Sequence, residues 1–170
     1  MNNFFILMTA FASLLPTGSA NVNLTQTFVE REVTEAIEIK LDVRVQKIDA
    51  YFAKRNMPLQ GYGKDFVEVA DRYGLDWRLL PAISVRESSG GKRLLNNNPF
   101  GWGSAKIPFE NFGDAIEVVG WNLSGNNPNT SGYYGTDDNR KKLYWYNGTV
   151  LPSYPSEVLG IMDLFESTEI

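Results

Sequence analysis

The chain has 170 residues, 43% of them hydrophobic and 21% charged, which suits one globular domain with a proper core. A net charge of −4 argues against a nucleic-acid partner, which demands a basic face. With no Cys and no His, disulfides, thiolate zinc sites, cysteine nucleophiles and histidine-dependent triads are excluded, so acid/base chemistry must run on carboxylates, Tyr or Lys, and neither metal nor cofactor is expected.

The first twenty residues, MNNFFILMTAFASLLPTGSA, carry an apolar run from Phe4 to Leu15, a Pro-Gly break and small residues at Gly18 and Ala20. This is the pattern of a signal peptide cleaved near Ala20, although its first residues include no Lys or Arg. The apolar run is shorter than the roughly 20 residues that span a bilayer, so a secreted or cell-envelope location is expected.

Residues 21–46 form an N-terminal extension that reads two ways. Ile37, Ile39, Leu41, Val43 and Val45 alternate with polar residues as a strand would. Val33, Ile37, Leu41, Val45, Ile48 and Phe52 fall at helical steps of three or four, and no Gly or Pro interrupts 30–55, so helix is the preferred reading. From residue 47 to 168 a helical domain is expected.

In that domain MPLQGYG, 57–63, is a turn, and KDFVEVADRYG places Phe66, Val69, Ala70 and Tyr73 on one helical face before Gly74 closes it. Asp76 then caps a helix starting at Trp77 or, more regularly, at Pro81, since proline belongs in a first turn. That helix ends in SSGG, and residues 90–111 read as an ordered loop. A helix from Gly113 to Leu123 follows, with Ala115, Ile116, Val119 and Leu123 inward and Trp121 assigned to the core. SGNNPNTSGYYGT is loop, Asp138–Tyr146 helix, NGTVLPSYP loop, and Pro155–Phe165 a last helix with Val158, Leu159, Met162 and Phe165 inward. The fold class is mainly α, with several helices around one core and long loops between them.

One acidic residue stands out. Leu80, Ile83, Ser84 and Glu87 share a helical stripe, so the Glu87 carboxylate projects inward or into a cleft. There it loses hydration, and in the last helical turn it meets the negative end of the macrodipole, at about 0.3 to 1 kcal/mol. Both effects favour keeping its proton, as a general acid must. The competing reading is an ion pair with Arg86, Arg78 or a distant lysine.

The residues around Glu87 carry a resemblance. RESSGG followed by NNPFGWGS resembles the lysozyme-like superfamily of peptidoglycan-cleaving enzymes, in which a Glu-Ser pair ends a helix. The run from Asn97 to Leu123 is similar to the bacterial endo-β-N-acetylglucosaminidases, as is YYGTDDNRKKL, while LYWYNGT resembles the Tyr-Asn motif of lytic transglycosylases. The likeness covers about 47–166 with the motifs in the same order. It departs from those patterns at Pro99, where the glucosaminidases have Leu, in GWGS, which lacks the transglycosylase Gln, and in its acidic charge.

The resemblance implies a lysozyme-like helical domain with long loops flanking a glycan-binding groove. It implies a role for each matching position: Glu87 as catalytic acid, Tyr146 beside it to stabilise charge or bind an N-acetyl group, and Ser88, Asn98, Phe100, Gly101, Trp102 and Asn147 as substrate-binding walls. The implied activity is a secreted, monomeric glycosidase that cleaves the glycan strand of peptidoglycan, as glucosaminidase, muramidase or lytic transglycosylase. The alternative is a non-catalytic cell-wall glycan-binding module on the same fold.

Cleaving a glycosidic bond needs a proton for the leaving oxygen and something to stabilise or trap the cationic centre, for which a hydrolase can use a second carboxylate. Glu110, Asp114, Asp137 and Asp138 are the nearest candidates, and each also reads as a cap or first-turn residue. A transglycosylase-like route needs none, because an oxygen of the sugar itself completes the reaction. Trp102, Trp121, Tyr133, Tyr134, Tyr144 and Trp145 are candidates for stacking on sugars, the loop-borne ones more than Trp121.

Overall fold

The computed structural model describes Val29, Arg31 and residues 42–170. Two units divide the chain, Met1–Ala36 and Ile37–Ile170, and of the first only Val29 and Arg31, both helical, are described. The signal-peptide expectation and most of the 21–46 extension lie outside the described residues. Among these residues the second unit is built of helices and turns without a strand, and no helix is long and apolar enough to cross a membrane.

Helix α1, Val43–Ala53, opens where the Asp42 carboxylate accepts the Arg44 amide at 2.8 Å. The Arg44 guanidinium beside Asp42 holds that carboxyl below its usual pKa and reaches on to Asp71, 2.7 Å away. Because α1 runs through 46 and 47, the boundary expected between extension and domain falls inside a helix. Val45, Ile48, Tyr51 and Phe52 are buried on one face, so these roughly three turns of helix belong to the same core.

Helix α2, Gly63–Tyr73, follows a turn whose Gly61 and Gly63 amides both donate to Asp49, at 2.8 and 3.0 Å. Gly74 ends it in the left-handed region at φ 64°. Helix α3, Leu79–Ser88, begins between the two expected starts. The Asp76 carboxylate is spent on the Arg78 amide and guanidinium, which shapes 76–78 into a turn, and the Leu79 amide bonds the Asp76 carbonyl at 2.9 Å. Pro81 then lies in the first turn, where its missing N–H costs nothing.

Helix α3 is covered almost all round. Leu79, Leu80, Pro81, Ala82, Ile83 and Ser84 are all buried, packed by α2, by helix α4, Phe112–Leu123, and above all by helix α7, Tyr154–Glu166. A helix apolar on every side is the axis of the core, and it reaches solvent only at its ends. Ala115, Ile116, Val119 and Leu123 of α4 are buried as their spacing indicated. Trp121 is not: it is 38% exposed, because it stands four residues after Glu117, which faces outward to Arg72 and Tyr73.

Two further differences fall in the C-terminal half. The expected loop 124–136 contains a short helix α5, Ser131–Tyr134, and the expected helix 138–146 is two pieces. Helix α6, Asn139–Leu143, starts at Asp138, which accepts the Arg140 and Lys141 amides. From Tyr144 to Gly148 the chain widens into a π turn, closed by the Thr149 amide on the Tyr144 carbonyl at 3.0 Å. Lys142 ties this region together, its buried ammonium donating to the Leu123 carbonyl at the end of α4 and to the Tyr134 carbonyl, at 2.5 and 2.7 Å.

Gly120 marks a close approach of α4 to α2, since a Cβ there would lie 2.3 Å from Val69 Cγ1. Gly120→Ala must therefore push α4 off α2. The expected loss is about 1–3 kcal/mol of stability, measured by chemical denaturation.

Candidate functional site

The end of α3 is shaped by Ser89, which takes the left-handed conformation at φ 55°, and by the Gly90 amide bonding back to Ser84 at 3.1 Å. Glu87 sits in that last turn, partly exposed. Neither arginine that competed for it is its partner: Arg86 binds Glu157 at 2.5 Å, and Arg78 binds Asp76 and Glu166. Among the described residues Glu87 makes no ion pair.

Two cavities of about 560 and 520 Å³ adjoin the carboxylate, each large enough for a small ligand. Glu87, Gly101 and Ser104 line both, so the acid stands where they meet. Ser88, Asn98 and Arg93 border the first; Trp102, Tyr134, Tyr146 and Asn147 border the second. Among the described residues Glu87 is the sole carboxylate lining either. Glu110 is exposed and hydrogen-bonds through its amide to Asp114, while Asp138 caps α6, so these candidates border neither cavity.

The loop after α3 is held by side chains that the sequence placed on the substrate. Asn98 is buried and fully used: its Nδ2 donates to the Trp102 and Ile107 carbonyls at 2.8 and 3.1 Å, and its Oδ1 accepts the Trp102 amide at 3.0 Å. Ser88 donates to the Ser84 carbonyl and accepts the Gly91 amide, both at 2.9 Å, so it shapes the turn beneath the cavity. The Phe100 ring has no exposure and packs edge-on against Phe66, which takes it out of reach of any ligand. Its contribution is its carbonyl, which accepts the Tyr146 hydroxyl at 2.6 Å.

Gly101 is where the loop approaches the acid. Its φ is +62°, and a Cβ there would lie 2.9 Å from Glu87 Oε2. Trp102 turns its indole toward Tyr134 and Tyr146, with ring centroids 6.2 and 5.7 Å away. Outside the cavity, Tyr133, Tyr144 and Trp145 form an exposed edge-to-face cluster.

Tyr146 and Asn147 reach the second cavity from the π turn. Burial, followed by the charge of Glu87 and then Tyr134, pushes the Tyr146 phenol well above its ordinary pKa, so it is a neutral hydroxyl. Its proton is committed to the Phe100 carbonyl, so within the cavity it lines its oxygen can serve only as an acceptor. The arrangement suits contact with a developing positive charge better than donation to an acyl group.

Tyr134, one of the aromatics expected to stack on sugars, does line the second cavity, whereas sequence reasoning missed Arg93 and Tyr154 as neighbours of this site. Burial pushes Tyr134 up to about 12, with Tyr133 adding to the shift. Tyr154, the first residue of α7, is wholly buried and stacks parallel to Tyr146 at 6.0 Å. Arg93 had a visible signal as a cation just after Gly90 and Gly91, whereas Tyr154 is brought in by tertiary packing alone.

Two outcomes are expected from this geometry. Gly101→Ala forces a side chain into the left-handed region beside Glu87, at about 1–2 kcal/mol, and lowers the melting temperature accordingly. The folded state also keeps protons on Tyr134, Tyr146 and Tyr154 that unfolded tyrosines release above pH 10. Their stabilisation is complete below pH 10 and is lost as pH rises beyond it, at about 1.4 kcal/mol per pH unit for each phenol, which denaturation midpoints across that range measure. No protein-family model matches this chain, and no curated protein or solved structure is similar enough to it to count as a match.

Proposed function

We propose that the protein is a secreted glycosidase that cleaves the glycan strand of peptidoglycan, with Glu87 as general acid. The observation that carries this reading is the place of Glu87: a carboxylate that makes no ion pair among the described residues, at the end of a buried helix, between two cavities, the second of them lined by Trp102, Tyr134 and Tyr146. A sugar on each side would set the bridging oxygen beside the acid. The helical architecture and the RESSGG, NNPFGWGS and YNG motifs agree with the lysozyme-like resemblance.

Among the described residues Glu87 is the single carboxylate at the junction, a proton donor with no second acid beside it. This favours a route in which an oxygen of the sugar attacks its own C1, as in lytic transglycosylases, over one with a protein nucleophile. The C1–O bond breaks with its electron pair on the leaving oxygen, which takes the Glu87 proton. The Glu87 carboxylate then accepts the proton of the attacking hydroxyl. Tyr146 is the group placed to face the positive charge at C1.

Glu87→Gln is expected to fold with an unchanged melting temperature and to clear a peptidoglycan suspension at least about 100-fold more slowly. Mass spectrometry of the wild-type digest is expected to show anhydro-sugar ends. Clearing by Glu87→Gln at the wild-type rate would exclude this mechanism, and wild-type binding to the wall without any turnover would make the protein a glycan-binding module instead.

A further inference from the structure

The Tyr154 hydroxyl is buried and has no hydrogen-bond partner, the one such side-chain atom among the described residues. A phenylalanine would fill the same space without that cost. Its surroundings narrow what the hydroxyl can serve. The Tyr146 ring lies parallel to it at 6.0 Å, but the Tyr146 hydroxyl is engaged with the Phe100 carbonyl. The Arg86 guanidinium stands 5.7 Å from the Tyr154 ring centroid and is bound to Glu157. Glu87 is the acceptor beside the phenol: it follows Arg86 in the last turn of the facing helix α3 and lines the second cavity together with the Tyr146 that stacks on Tyr154. After burial and Tyr146, its charge and side-chain oxygens push the phenol further above its ordinary pKa. Tyr154 is thus a donor only, never a base.

We infer that Tyr154 is a positioning residue whose hydroxyl is held in reserve for the Glu87 carboxylate, pairing with it as Glu87 surrenders its proton. This rests on the reading of Glu87 as the acid. While Glu87 is protonated, its O–H is aimed at the leaving oxygen and Tyr154 has little charge to bind. As the C1–O bond breaks and the proton crosses to the leaving oxygen, negative charge appears on Glu87 and the waiting O–H donates to it. No proton leaves Tyr154. An interaction that strengthens only as charge develops lowers the barrier without tightening substrate binding.

The test is Tyr154→Phe in the full chain, read in two ways. On soluble glycan strands kcat is expected to fall about 10- to 100-fold with KM unchanged, and the melting temperature to hold or rise because an unsatisfied hydroxyl has gone. Independently of turnover, the infrared carboxylate band assigned to Glu87 by difference against Glu87→Gln is expected to shift in Tyr154→Phe. An unmoved band, or an unmoved kcat in a working enzyme, overturns the inference. A shifted band in a wild-type protein that cleaves nothing keeps the Tyr154–Glu87 pair and removes the glycosidase reading, so the two failures are told apart.

Discussion

Burial of α3 on nearly every side governs where this protein can place a reactive group. Leu79 to Ser84 are locked between α2, α4 and α7, so nothing along the shaft of the helix meets solvent. A functional side chain on such an axis has to come from its last turn, and Glu87 is there. The same packing makes the position of the carboxylate a property of the whole core. Its backbone cannot shift without moving Leu80 and Ile83, both at 1% exposure or less.

Around that fixed point the site is assembled from the least regular parts of the chain. The loop after α3 has almost no secondary structure, yet the Asn98 side chain makes three hydrogen bonds that replace a ladder. Buried polar groups of this kind give a loop one conformation. Lys142 does the same on the other wall by joining the end of α4 to Tyr134. The two cavities consequently have walls set by hydrogen bonding and a floor set by hydrophobic packing.

Much of this was legible in the sequence, and what was not has physical reasons. Gly74 announced a helix end because a left-handed residue is required there, and the 115–116–119–123 spacing announced the buried face of α4. Glu87 was legible because it continues an apolar stripe. Trp121 was misassigned to the core by its size, although its four-residue spacing from the polar Glu117 pointed outward. Phe100 was assigned to a binding wall by its place in a motif, but a ring beside Phe66 is worth more in the core. The π turn left no mark, since five residues are too few for a period of 3.6 to be told from a wider one. Tyr154 could not be read at all: its significance lies in which groups face it across α3 and α7.

The π turn at Tyr144–Gly148 sets a constraint of length as well as of composition. A turn closed five residues back holds one residue more than an α turn, and successive α-helical residues are separated by about 100° around the axis. A chain one residue shorter between Leu143 and Thr149 could close as ordinary helix, and Tyr146 would swing away from the Phe100 carbonyl while the core beneath stayed intact. In this segment the number of residues is therefore a stronger signature of the site than their identities, and a related sequence is better compared by counting across the interval than by matching its letters.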